Sequence, residues 1–284
     1  MSSTVSYEWE RKPRQGVQLC YPFEEDPLES DRRIAWNWWP DLTQPKLDGI
    51  RARQMMPKQG ALQSSTAEPI FGVPHIKEIL QELKCPFIPD GELYKHGMPF
   101  DEIQSRVMRT MNQHEDYRSI EYHIFDYVDE LCEEPFLVRA VKLAHWFAEN
   151  VGPGVPLKLV PTHEAGSKEE VFQNYQTYLK QDYEGIIVRH PGGIYQQKRM
   201  NTVMKFKPKK SDIYKVIGFE EEFDKNGIPK GTLGALVCAG DLDESDTFRV
   251  GSGFAAWQRA EYWRNRDELI GSSCMVEYQH LTKD

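Results

Sequence analysis

Short β-prone runs, each closed off by Gly or Pro, recur along most of this chain and constrain its fold more than any other feature. The runs near "PKLDGIRARQMM", "CPFIPDGELY", "EYHIFDYVDE" and "EGIIVRH" are β-branched or aromatic and read as strands. Helical stretches interrupt them. "VPHIKEILQEL" places Val73, Ile76, Ile79, Leu80 and Leu83 on one stripe. "SKEEVFQNYQTYLK" opens with Ser167 and Glu170 at capping-box spacing, then sets Val171, Tyr175 and Tyr178 on one face. This mixture predicts an α+β fold with mainly antiparallel sheets.

After residue 211 the texture changes. "DIYKVIGFEEE", "GALVCAGD", "TFRVGSG" and "SSCMVEYQHL" read as short strands, with one helix, "AAWQRAEYWRNRDEL", between the last two. Several short strands and one helix in about 70 residues predict a small barrel of the OB type. Three segments follow: an aromatic, charged lead-in over 1–40 that packs on the main domain, a main domain over 41–211, and a barrel over 212–284.

Composition removes several classes. The polar N-terminus is no signal peptide, and no apolar run approaches the roughly 20 residues that span a bilayer. These observations predict a cytoplasmic protein with no membrane partner. The five cysteines form no CxxC pair and are odd in number, so reduced thiols are expected rather than a disulfide frame or a zinc site. The net charge of −9 argues against a nucleic-acid partner until its distribution is read. Residues 198–215, "KRMNTVMKFKPKKSDIYK", hold seven cations and one acid, a local net of +6, which leaves −15 for the remainder. Basic character gathered into one segment suits a surface that meets phosphates; a solvated basic loop is the plain alternative.

One stretch raises a chemical question. In "QPKLDGIRAR", Lys46 stands two residues before Asp48, followed by Gly49 and Arg51. A strand would aim Lys46 and Asp48 the same way. An amine beside a carboxylate, with a second cation near, is either a salt bridge on a hairpin or a nucleophile with its supports. Three further segments follow in order: "DGELY" (Asp90, Gly91, Glu92), "EGIIVR" (Glu184 to Arg189) and "KFKPKKSD" (Lys205 to Asp212).

As an ordered set, these segments resemble the covalent nucleotidyltransferases, the polynucleotide ligases and messenger-RNA capping enzymes. The set is most similar to the compact ATP-dependent DNA ligases of phages, viruses and bacteria, over about residues 40–284. The resemblance implies a nucleotidyltransferase domain followed by an OB domain. It implies ATP and Mg²⁺ (or Mn²⁺) as cofactors, nicked duplex DNA as partner, and a monomer in the cytoplasm of a bacterial or phage-infected cell. The implied roles are in replication, repair and recombination.

The chemistry fits the residue types. An amine attacks only when neutral, and a free lysine at pH 7 is almost wholly protonated; burial and neighbouring cations change that. By the match, Lys46 carries AMP. Asp48 orients the reacting groups. Arg51 contacts the nucleotide and later the 5′-phosphate of the nick. Glu92 bonds the ribose, and Glu184 supports the metal. Lys205 and Lys207, alternating across Phe206, aim at one phosphate. Phe125 in "YHIFDYV" matches an aromatic lid on the adenine. Gln44 is a candidate for the adenine edge and Arg199 for a phosphate. Arg53, Lys209 and Lys210 are candidates for the DNA backbone.

Two departures from the family pattern stand out. "LQSSTAEPI" puts Ser65 where an arginine that holds the 5′-phosphate is expected. The barrel ends at "VEYQHLTKD" with no basic motif after residue 249, so either a missing last strand or a shortened chain is expected. A GTP-using capping enzyme and an RNA ligase share the lysine motif. A nick-binding module without catalysis is the alternative of another class.

Overall fold

The computed structural model describes residues 16–22, 40–54, 62–129, 131, 133–208, 210–240 and 247–278. The lead-in outside 16–22, with Trp36, Trp38 and Trp39, lies outside the described residues, as do Lys209 and Cys132. The chain divides into two compact units, Met1–Lys207 and Pro208–Asp284.

In the first unit the elements are β1 (Leu19–Pro22), β2 (Asp41–Lys46), β3 (Ile50–Gln54), β4 (Leu62–Ser64), β5 (Pro69–Ile70) and α1 (Pro74–Glu82). They continue with β6 (Ile88–Tyr94), α2 (Phe100–Val107), β7 (Glu121–Val128), α3 (Phe136–Asn150), β8 (Leu157–Leu159) and β9 (His163–Ala165). The unit closes with α4 (Lys168–Lys180), β10 (Gly185–Arg189) and β11 (Arg199–Phe206). Two sheets carry it. One has five strands in the order β1-β11-β10-β2-β9, the other six in the order β5-β4-β3-β6-β7-β8. Both are antiparallel apart from the β1–β11 and β7–β8 pairs.

This arrangement corrects the reading of "QPKLDGIRAR" as one strand or hairpin. β2 ends at Lys46 in the five-stranded sheet, and β3 begins at Ile50 in the six-stranded one. Leu47–Gly49 is a crossover between sheets. Gly49 is required there: a Cβ would run into the Leu93 carbonyl oxygen and sit 2.9 Å from Glu92 Cγ. The crossover explains why Lys46 and Arg51, five residues apart, serve different walls of one site.

The helices follow their apolar spacing. On α1, Ile76 and Leu80 are buried in the main core beside Val73, with Ile79 and Leu83 packed against it. On α4, Ser167 Oγ accepts from the Glu170 amide at 3.3 Å, and the Glu170 carboxylate accepts from the Gly166 amide at 2.8 Å. That is a capping box whose return bond is shifted by one residue. Val171, Tyr175 and Tyr178 are buried. Burying such side chains is worth about 1.5–3 kcal/mol each, which is what holds α4 against β2 and β10.

The second unit holds β12 (Lys210–Phe223), β13 (Pro229–Ala239), β14 (Thr247–Val250), α5 (Ala256–Arg264), α6 (Arg266–Leu269) and β15 (Ser273–Tyr278). β12 changes partner midway. Lys210–Lys215 pair with β15, and Val216–Phe223 pair with β13 through three register shifts. Such shifts bend a strand. Tyr214, Val216, Leu233, Leu236 and Cys238 form the core of this unit. The sheet order is β14-β13-β12-β15. Its end strands do not pair, so the expected barrel is an open antiparallel sheet among the described residues. No helix among them is long and apolar enough to cross a membrane, and Cys20, Cys85, Cys238 and Cys274 are free thiols.

Candidate active site

The site forms where the two sheets face each other. On the five-stranded side, β10 pairs with β2 so that Gly185 lies opposite Lys46, and the Glu184 amide donates to the Lys46 carbonyl at 3.1 Å. β10 also pairs with β11, placing Ile187 opposite Lys205 and Ile186 opposite Phe206. Gly185 permits the close approach; a Cβ there would strike the Phe206 carbonyl oxygen and meet Lys207 Cα at 3.0 Å. Phe206 packs on Tyr175 of α4 with ring centroids 4.6 Å apart. Alternation along β11 then turns Lys205 to the opposite side, and Lys207 follows directly after the strand ends at Phe206.

Three residues from three distant motifs meet at one carboxylate. Glu184 Oε2 accepts from Lys46 Nζ, and Glu184 Oε1 accepts from Lys207 Nζ at 2.9 Å. Lys46 also donates to the Leu47 carbonyl at 3.4 Å. Lys46, Glu184 and Lys207 are only 19%, 13% and 18% exposed, a depth at which an ion pair is weakly screened. Burial works against the charge on Glu184, but Lys46 and Lys207 outweigh it and hold the carboxyl below its usual range. The neighbour Lys46 finds is therefore a carboxylate. The expected ring of cations around it is only partly present, since Arg51 is engaged elsewhere.

The six-stranded sheet supplies the other wall. Arg51 of β3 pairs in register with Glu92 of β6. Its Nε and Nη2 donate to the two oxygens of Asp90, both at 2.6 Å, and Nη2 also reaches the Gln18 carbonyl at 3.3 Å. The guanidinium carbon lies 4.6 Å from the centre of the Phe125 ring, and that of Arg189 lies 5.4 Å from the same ring. Burial pushes the Glu92 carboxyl up to about 7, against the pull of Arg51 and Lys46.

Beneath Phe125 lies a buried polar network. Gln44 donates to the Phe125 carbonyl at 3.2 Å and to Thr162 Oγ1 at 3.0 Å, and accepts from Arg189 Nε at 2.8 Å. Arg189 Nη1 and both Arg139 Nε and Nη2 donate to the Asp126 carboxylate at 2.8–3.0 Å. Gln44, expected at the adenine edge, thus has both donors engaged by protein and holds Phe125 in place.

The remaining expected residues are spread more widely. Asp48 is half-buried in the crossover. Arg53 packs its guanidinium against Gly16, which has φ +71°, and its Nε is buried with no hydrogen-bond partner among the described residues. Arg199 is exposed, donates to the Cys20 carbonyl and lies 5.6 Å from the Tyr21 ring. Ser65 sits in the turn between β4 and β5, where Ser64 Oγ accepts from the Thr66 and Glu68 amides. Lys210 is the first residue of β12, in the second unit.

Several participants carried no motif signal. Asp90 and Arg189 stand inside "DGELY" and "EGIIVR", so their segments were visible though their roles were not. Asp126 likewise stands inside "YHIFDYV", whereas Gln18, Arg139, Thr162 and Tyr195 have no spacing to mark them. Buried charge of this kind is recognisable only from its partners.

The residues fit a divalent cation held in one particular way. Among the described residues no three His, Cys, Asp or Glu side chains gather to cage a metal. Glu184 is the carboxylate that Lys46 contacts directly. A single carboxylate completed by phosphate oxygens and water suits Mg²⁺.

Comparison with known proteins identifies the family and the fold. The chain is 26% identical over 270 residues to a DNA ligase of Haemophilus influenzae, covering 94% of this chain and 87% of that protein. In fold it is similar to the solved structure of Pmar-Lig_Pre, with a TM-score of 0.78 at 22% identity, covering 96% of this chain and 64% of that longer chain. It is also similar to a Lig E DNA ligase, with a TM-score of 0.71 at 19% identity and 94% of both chains covered. Residues 40–207 match the family model of the ATP dependent DNA ligase domain. That match takes in more than half of the sequence and every strand that builds the site except β1, and the chain belongs to the ATP-dependent DNA ligase family.

Proposed function

We propose that this ligase seals 5′-phosphate/3′-OH nicks in duplex DNA by way of a lysyl-AMP at Lys46. The observation that carries the reading is the meeting of Lys46, Glu184 and Lys207 at one half-buried carboxylate. In the first step Lys46 Nζ gives up a proton to solvent and attacks the α-phosphorus of ATP. A P–N bond forms, the bond to the bridging oxygen breaks and pyrophosphate leaves. In the second, an oxygen of the nick 5′-phosphate attacks the same phosphorus, the P–N bond breaks and the amine is restored. In the third, the 3′-OH loses its proton to solvent and attacks the 5′-phosphorus; a phosphodiester bond forms, the anhydride bond to AMP breaks and AMP departs.

Each residue's task follows from its position. Phe125, its backbone held by Gln44 and its ring faced by Arg51, offers a flat surface for the adenine. Glu92, kept in part protonated near neutral pH, can donate to as well as accept from a ribose hydroxyl. Arg51 turns charge toward the phosphates, and Lys205 and Lys207 offset the negative charge that grows on their oxygens. Asp48 orients the reacting groups. Glu184 would hold Mg²⁺ or Mn²⁺ together with phosphate oxygens; the ion supplies neutralisation of the triphosphate.

Arg53, Arg199, Lys209 and Lys210 contact the DNA backbone. The second unit is an OB-type module, in keeping with its bent β12 and single helix pair. The protein acts as a monomer in the cytoplasm, where its free thiols stay reduced.

Mass spectrometry of the full chain after exposure to ATP and magnesium tests the reading. The expected product carries one added AMP, mapped to Lys46, and Lys46→Ala carries none. An adduct formed with GTP but not ATP, or an adduct that survives in Lys46→Ala, overturns it.

A further inference from the structure

The hydrogen bonds around Arg51 close into a ring that no sequence motif announces. The Gln18 amide donates to the Tyr195 hydroxyl at 3.3 Å. That hydroxyl donates to Asp90 Oδ2 at 2.6 Å. The same Oδ2 accepts from Arg51 Nη2 at 2.6 Å, and Arg51 Nη2 returns to the Gln18 carbonyl at 3.3 Å. Four groups from β1's leading edge, β3, β6 and the β10–β11 connection are thereby tied together. Gln18, Asp90 and Tyr195 are 4%, 0% and 1% exposed, whereas the Arg51 side chain is 21% exposed. The ring is sealed on the protein side and open at the arginine.

Its chemistry is directional. Burial and the neighbouring Asp90 carboxylate keep the Tyr195 hydroxyl protonated, so it acts as donor to Asp90. A carboxylate that accepts from Tyr195 and twice from Arg51 has little freedom to rotate. With Nε and Nη2 held, Arg51 has Nη1 left to turn to the site, and its plane is fixed over Phe125 at 4.6 Å. A guanidinium held in this way loses less conformational entropy when it binds a phosphate.

We propose that Tyr195 is a positioning residue for the ligase reaction: through Asp90 it fixes Arg51 so that Nη1 faces the nucleotide phosphate. Gln18 completes the device, which brings the strap Gly16–Pro22 into the site although it precedes the matched family region. The proposal rests on the adenylation reading above.

The test is a double-mutant cycle in the full chain. Tyr195→Phe removes one oxygen and keeps the ring. Arg51→Lys keeps a cation that cannot grip Asp90 with two nitrogens. Tyr195→Phe is expected to slow adduct formation with labelled ATP about 5–20-fold in the parent and less than twofold in the Arg51→Lys background. An equal loss in both backgrounds, or a loss under twofold in the parent, overturns the proposal. A second readout needs no activity. The Arg51 Nε–H signal in nitrogen-15 NMR is expected to exchange at least tenfold more slowly than that of free arginine in the wild type, and to lose that protection in Tyr195→Phe. An unprotected wild-type signal overturns the proposal even where the variant fails to fold. If the wild type forms no adduct with ATP, the adenylation reading falls and the NMR arm alone decides the role of Tyr195.

Discussion

Glu92 and Asp41 show how a single buried carboxyl sets pH behaviour. Burial raises both to about 7. A carboxyl with a raised folded-state value binds more protons folded than unfolded between about 4.5 and 7. Stability therefore falls as pH climbs through that window. Glu92→Gln keeps the shape and removes the titration. The variant is expected to lose less stability than the wild type between pH 4.5 and 7, by about 1–3 kcal/mol in denaturant melts. Identical pH slopes for the two proteins would refute the burial argument. Glu184 has the opposite sign, because Lys46 and Lys207 stabilise its charged form. Glu184→Gln leaves Lys46 and Lys207 facing each other without a counter-charge. It is expected to cut adduct formation at least 100-fold while circular dichroism stays unchanged; adduct yield within threefold of wild type would remove Glu184 from the reaction.

At the scale of elements, strands hold the site and close backbone contact sets their spacing. Gly185→Ala would force β10 from β11 at the point where Glu184 meets Lys207. Overpacking of this kind costs about 1–3 kcal/mol, and adduct formation is expected to fall more than tenfold. A variant with normal melting and normal adduct yield would show that the two strands give way freely. The α4 cap lies at the far end of that helix from β10 and serves as a contrast. Ser167→Ala is expected to cost about 1 kcal/mol in denaturant melts and to leave adduct formation within twofold.

The same elements show what was legible. The α1 and α4 stripes follow from periodicity, and the runs that became β6, β7 and β10 from their β-prone residues between Gly and Pro. The strands of the second unit read the same way; its helix, also legible, splits into α5 and α6 at Asn265. Helices α2 and α3 lie outside the stretches that read as helical. α3 buries Arg139 beside Phe136, Leu143, Trp146 and Phe147, so a charged residue breaks its apolar stripe. The break between β2 and β3 was also hidden. "KLDGIR" alternates like one strand, and only the Leu93 carbonyl pressed against Gly49 shows where the chain changes sheets.

The whole molecule carries a charge of −9 yet concentrates +6 in residues 198–215. That segment spans the end of the first unit and the start of the second. If four to seven of its cations meet phosphates, affinity for nicked duplex falls on the order of 10²–10⁴-fold between 50 and 200 mM salt. A flat response in a filter-binding titration would take those cations out of the interface.

The sequence by itself determined the family and pointed to the proposed chemistry. The order of Lys46, Glu92, Glu184 and Lys207 along the chain marks the groups proposed to react, because a nucleophile and its charge partners must be particular residue types. It determined the helices whose apolar residues follow a simple period and the strands whose β-prone residues lie between Gly and Pro. Only the tertiary structure decided which partner each charge takes: Glu184 for Lys46, Asp90 and Tyr195 for Arg51, Arg189 and Phe125 for Gln44. Those pairings join residues up to 145 positions apart. They are fixed by how two sheets face each other, and local spacing carries no record of that.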